Sequence, residues 1–213
     1  MKAMSTTARE RRRDLCILAV LAAAMLLTLL TVRNTYYISL LTYAAVYSIA
    51  ALGLFLLFGY AGQISLAQAA FFGIGAYVAA YFSQRTGVPH LLILAAAAVL
   101  PAAVGWLVSH HLLRLTTNYL AMATLAFGTI CFIVFSQARS ITGGLDPGVI
   151  GVPAFELSGL RLDSPARLFG LVAVCLVLTL LVTINLVHSR IGRGLRALRT
   201  SEVAAAGLGV DVV

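Results

Sequence analysis

Six long apolar runs, separated by short polar or basic stretches, dominate the pattern of the chain. They cover residues 15–32, 36–58, 65–83, 91–113, 119–138 and 168–187. A helix rising about 1.5 Å per residue needs about 20 residues to cross a hydrocarbon core of roughly 30 Å, and each run meets or approaches that length. The runs are rich in Leu and Ala and lack the short alternation of a membrane barrel, so helices are expected. The predicted fold is an all-α polytopic transmembrane helix bundle of about six spans. Pro101 falls in the middle of the fourth run, where it is expected to kink the helix and free a carbonyl that a neighbour must satisfy.

Composition supports this. With 61% hydrophobic and 10% charged positions among 213 residues, the chain has too little polar surface to cover a soluble globule. Lipid is its solvent. The formal charge of +8 does not indicate a nucleic-acid partner, because the basic residues sit in clusters between apolar runs instead of lining a face. The positive-inside rule accounts for them. With a cytosolic N-terminus, the inner side carries ten Lys or Arg and the outer side five, and the long outer loop offsets its three with Asp146, Glu156 and Asp163. Both ends of the chain are therefore expected in the cytosol. The basic stretch before residue 15 resembles a secretory signal, but no A-x-A cleavage pattern follows it, and a retained first span is expected. The organisation reads as a basic cytosolic N-terminus (1–14), a transmembrane domain (15–187) and a cytosolic amphipathic and coupling segment (188–213).

Cys16, Cys131 and Cys175 lie in apolar runs with no partner at metal-ligand spacing, and no metal site is expected. No Asp or Glu lies inside a predicted span, and the histidines fall at span ends. A membrane enzyme would need paired acids or a His/Asp constellation among the spans, and an ion-coupled carrier commonly uses intramembrane carboxylates. Neither is present, so an energy source outside the membrane domain is the simpler reading.

Three segments carry more specific information. The first, Gly59-Tyr60-Ala61-Gly62-Gln63-Ile64-Ser65-Leu66-Ala67-Gln68, is uncharged but holds two glutamines and a serine. Gly59 and Gly62 permit a sharp reversal, and Ser65 is placed to cap the next helix. Beyond it, Ala69 with Gly73 and Gly75 with Ala79 give the four-residue spacing of small residues at which membrane helices pack closely. Polar backbone at membrane depth survives inside protein or beside water. Gln63, Ser65 and Gln68 either border a translocation path or bond between helices.

The second segment runs from Thr142, Gly143 and Gly144 to Pro153. It either presents backbone groups to a partner or is a turn-rich connector. In the third, Ile191, Leu195 and Leu198 share one helical face while Arg190, Arg193, Arg196 and Arg199 cover the opposite half. This predicts an amphipathic extension of the sixth span. Its arginines either anchor against anionic headgroups or lead into a second short helix, capped by Thr200 or Ser201, with Glu202 in its first turn.

Together these segments resemble the permease subunits of branched-chain amino acid ABC importers. The resemblance rests on residues 59–66 and 70–77, on Ala123-Thr124-Leu125-Ala126-Phe127, on Thr142-Gly143-Gly144, and on the tail from Arg190 to Gly209. It implies an inner-membrane transport subunit that is not itself an enzyme and holds no cofactor, ATP being bound by a separate cytosolic ATPase. A second permease subunit and an extracytoplasmic binding protein are the other implied partners. Gln63, Ser65, Gln68, Thr142, Gly143 and Gly144 are the implied path residues. Arg196, Arg199, Glu202, Ala204, Ala205 and Gly209 are the implied ATPase-coupling residues. Ala206 stands where the family often has a second acid, and members usually continue with further spans, so the resemblance implies a shortened permease. Related permeases handle urea or short amides, and an ion-coupled secondary carrier is the other alternative.

Overall fold

The computed structural model describes residues 2–32, 34–85, 87–112, 117–144, 149, 151–153, 155–157 and 160–200. A helix stands at each of the six apolar runs. They are α1 (Lys2–Thr31), α2 (Thr35–Phe55), α3 (Gln68–Arg85), α4 (His90–Leu112), α5 (Thr117–Gln137) and, after the short α6 (Arg139–Thr142), α7 (Pro165–His188). A basic helix, α8 (Arg190–Thr200), follows. Between α6 and α7, β1 (Glu156–Leu157) and β2 (Leu160–Arg161) pair antiparallel.

Among the described residues, five helices are long and apolar enough to cross a membrane: Arg11–Thr31, Thr35–Ala61, His90–His110, Tyr119–Gln137 and Pro165–His188. The third expected span is met by α3, which carries Gln68, Ser83, Gln84 and Arg85 within its 18 residues and is correspondingly less apolar. Of the boundaries that differ from the sequence reading, two flank the polar stretch before α3. The second span extends to Ala61, because a π-helical segment (Leu56–Ala61) continues α2. The third begins at Gln68, so Ser65 stands ahead of the helix and does not cap it.

The chain divides into two compact units, one built from α1, α2, α7 and α8, the other from α3 to α6 and the strands. In the first, α7 packs against both α1 and α2. Its buried Phe169, Leu176 and Thr183 recur every seventh residue, two turns apart on one face, as do Ile38 and Ala45 of α2. At the polar end, Arg11 Nη2 donates to Asn185 Oδ1 at 3.0 Å, and His188 Nε2 lies 3.1 Å from Asp14 Oδ2. The acid that borders the first span is thereby paired.

In the second unit α3 packs on α4 and α5 through different glycines. A Cβ on Gly73 would lie 2.6 Å from Phe135 Cε2 of α5, and one on Gly75 would lie 3.1 Å from the Ala97 carbonyl oxygen of α4. Ala97 precedes Pro101 by four residues, so its carbonyl is the one that loses its usual donor, because proline has no N–H. Helix α4 runs through Pro101, and the absence of a side chain at Gly75 lets the α3 backbone pass beside that carbonyl. The glycine that lies beside the carbonyl freed by the proline is thus Gly75 of α3.

Candidate functional site

The C-terminal end of α2 is the most densely built polar region of the first unit. Gly62 ends the π-helical segment with φ 69, and its N–H bonds to the Leu57 carbonyl. This left-handed conformation costs glycine nothing and other residues strain. Gly59, expected to share in the reversal, lies inside the helical segment against the Phe55 ring.

A helix end leaves its last carbonyls without backbone donors, and those carbonyls form the negative pole of the helix dipole. Two arginines of α8 meet that end. Arg199 Nη1 donates to the Gly59 carbonyl, and the Arg196 guanidinium lies 5.7 Å from the centre of the Tyr60 ring. A Cβ on Gly62 would lie 3.0 Å from Arg199 Cγ and 3.7 Å from its Cα, so α8 passes close over this glycine.

Ser189 sets that position. Instead of extending α7, the chain turns through Ser189 with ψ 177. Its hydroxyl donates to the Leu186 carbonyl at 2.6 Å and accepts the Gly192 N–H at 3.3 Å, capping α8 as a new helix. The expected continuous extension of the sixth span is therefore two helices with a break. After the turn, Arg193 Nη1 donates to the His188 carbonyl at 3.3 Å and Arg196 Nη2 to the Val187 carbonyl at 3.0 Å. Arg193, Arg196 and Arg199 thus reach the carbonyl ends of α2 and α7 from exposed positions, while on the apolar side Leu195 and Leu198 are half-buried and Ile191 is 64% exposed. Glu202, Ala204, Ala205 and Gly209 lie outside the described residues.

In the second unit, Gln63 and Ser65 are half-buried in the irregular stretch before α3, and Ser65 Oγ accepts the Ala67 N–H at 3.5 Å. Gln68 opens α3 and is likewise half-buried. Thr124 of α5 holds this stretch: its Oγ1 accepts the Leu66 N–H at 3.0 Å and donates to the Ala121 carbonyl at 3.0 Å, and it is 5% exposed. Thr124→Val removes the acceptor and leaves a half-buried N–H without it, a loss of about 1–3 kcal/mol. A lowered melting temperature in detergent, restored by Thr124→Ser, is the expected result.

Thr142 is buried, and its hydroxyl sits between the Phe135 and Ala138 carbonyls while accepting the Gly144 N–H at 3.2 Å. Gly143 and Gly144 follow with φ 73 and 79. These three residues form the turn that closes the end of α5. The structure therefore ties the stretch that carries Gln63, Ser65 and Gln68 to Thr124 through Leu66, sets Thr142 to Gly144 beyond the C-terminal end of α5, and joins Arg196 and Arg199 to α2. The sequence reading missed Thr124, Ser189 and Tyr60. Ser189 is a residue type that favours helix N-caps, but it stands in a continuous amphipathic pattern that conceals the break. Among the described residues, no group of three or more His, Cys, Asp or Glu is placed to hold a metal ion.

Long apolar helices packed glycine against neighbour, with a basic helix folded onto helix ends, define a multi-pass integral membrane protein. The chain belongs to the family described as branched-chain amino acid transport system / permease component, whose model matches residues 36–213. It is 33% identical to the high-affinity branched-chain amino acid transport system permease protein LivM of Escherichia coli (strain K12), over 94% of this chain and 52% of that protein. It is 31% identical to LivM of Salmonella typhimurium, over the same shares. The chain thus spans about half the length of these curated relatives. No solved structure matches it.

Proposed function

We propose that this chain is a transmembrane permease subunit of an ATP-driven importer that moves branched-chain amino acids across the inner membrane of a prokaryote. The observation that carries the reading is the family match from residue 36 to residue 213, which includes both the polar stretch before α3 and the basic α8. The chain hydrolyses nothing itself. A cytosolic ATPase supplies the energy, a second permease subunit completes the membrane part, and an extracytoplasmic binding protein delivers the substrate.

In this reading both ends of the chain face the cytosol, which the distribution of Lys and Arg supports. Helix α8 and residues 202–209 form the handle gripped by the ATPase, with Arg196, Arg199, Glu202, Ala204, Ala205 and Gly209 as coupling residues. The seat of Arg199 on the Gly59 carbonyl supports this, because a handle moves a span only if fixed to it. Gln63, Ser65, Gln68, Thr142, Gly143 and Gly144 border the path.

Uptake of radiolabelled leucine into cells expressing the chain with its partner subunits tests the proposal. Saturable uptake that stops on ATP depletion and is competed by isoleucine and valine is expected. Uptake that persists without ATP on a proton or sodium gradient would overturn it, as would competition by urea and short amides alone.

A further inference from the structure

The face of α2 opposite its packing partner has a chemistry unlike the rest of its unit. Tyr36, Leu40, Tyr43, Tyr47 and Leu54 recur at helical spacing and are all exposed. At about 100° per residue this stripe lies roughly half a turn from Ile38 and Ala45, the buried residues on the side packed against α7.

Depth makes the stripe unusual. The continuous helix Thr35–Ala61 has 27 residues, and at about 1.5 Å per residue Tyr43 lies about 12 Å and Tyr47 about 18 Å from its Thr35 end. Tyrosine favours the ends of spans, where its ring meets apolar surface and its hydroxyl meets water. Tyr36 fits that rule. Tyr47 lies near mid-span, where the lipid-water boundary is out of reach, yet it is 66% exposed, and Tyr43 one turn away is 65% exposed. On α2 itself Ser48, next to Tyr47, is exposed and polar. At comparable depth the large exposed side chains of α1 and α7 are aliphatic, among them Val20 and Leu26 on α1 and Val174, Leu178 and Val182 on α7. Those faces match acyl chains. A face of phenol rings matches a surface that offers apolar contact and water together.

We propose that this stripe of α2 is a wall of the water-filled translocation path, and that Tyr43 and Tyr47 touch the passing amino acid. This rests on the reading of the chain as a permease subunit. The rings would offer contact area to a branched aliphatic side chain, and a phenol hydroxyl is of a kind that donates to a carboxylate or accepts from an ammonium group. Sites for small molecules are commonly built this way, from aromatic walls with few polar groups.

The test uses single cysteines, Tyr43→Cys and Tyr47→Cys, with Leu178→Cys and Val182→Cys as controls, in a chain carrying Cys16→Ser, Cys131→Ser and Cys175→Ser. Each is assembled with its partner subunits in membranes and treated with a membrane-impermeant thiosulfonate. Positions 43 and 47 are expected to react roughly tenfold faster than the controls, because the thiolate that attacks the reagent forms only where water reaches it. Leucine should slow both. Rates equal to the controls would overturn the proposal in favour of lipid. Reaction in the chain alone that vanishes on assembly without leucine would overturn it in favour of a subunit interface. Fast reaction slowed by another solute but not by leucine would keep the path and overturn the leucine reading. The Tyr43→Phe, Tyr47→Phe double variant preserves packing and is expected to raise the KM for leucine about fivefold, the worth of roughly one hydrogen bond. An unchanged KM would remove the substrate contact.

Discussion

Arg199→Ala is expected to lower ATP-driven leucine uptake about tenfold while the chain still accumulates in the membrane. The arginine attaches α8 to α2 in two ways: its guanidinium donates to the Gly59 carbonyl, and its stem covers Gly62. Both contacts are partly open to solvent. A charged hydrogen bond and a few covered methylenes in such a setting are together worth on the order of 1.4 kcal/mol, about tenfold in the docking equilibrium of α8, and uptake follows it where the docked and free forms are close in energy. The spans themselves lose no packing, so protein yield should hold. Arg199→Lys is expected to recover only part of the uptake, since a point charge on a flexible stem does not reproduce the planar donor. Uptake unchanged in Arg199→Ala would show that the contact plays no part in coupling.

The second large effect is expected at Gly73. A valine there would drive its Cβ into Phe135, whose ring also packs on Tyr77 at a centroid distance of 4.7 Å and so has little freedom to yield. Forcing extra carbon into such a contact costs about 1–3 kcal/mol, and a branched side chain sits at the upper end. Gly73→Val should therefore sharply reduce the monodisperse protein recovered in detergent and lower its melting temperature. The double variant Gly73→Ala, Phe135→Leu should recover much of the loss. A normal yield of Gly73→Val would mean that α3 and α5 do not approach this closely.

Much of the architecture was legible in the sequence because lipid imposes one strong rule. A chain that must bond its own backbone across the hydrocarbon layer forms long helices, and the runs from Leu15, Tyr36, Leu91, Tyr119 and Leu168 announce them. The carbonyl freed by Pro101, that of Ala97, was foreseeable in kind, and the structure sets Gly75 beside it. What escaped the reading depends on geometry that residue type does not encode. The widening of α2 into π-helical turns leaves Leu56–Ala61 as apolar as any other turn. The break at Ser189 hides in a continuous amphipathic pattern, although its capping bonds are ordinary. The arginines of α8 were legible as a cationic face, but their partners are backbone carbonyls, which every residue carries, so nothing in the sequence marked Gly59, Val187 or His188 as those partners. Thr124 was visible as part of a motif, and only the fold shows that it holds Leu66.

The central claim is that the basic tail is a handle worked by a separate motor. Its most direct test is capture of a nucleotide-hydrolysing subunit by the detergent-solubilised chain, compared with the double variant Arg199→Ala, Glu202→Ala. The intact chain should retain the ATPase, and the variant should lose it while keeping its fold. Equal retention by both, or no ATPase retained by either, would contradict the account.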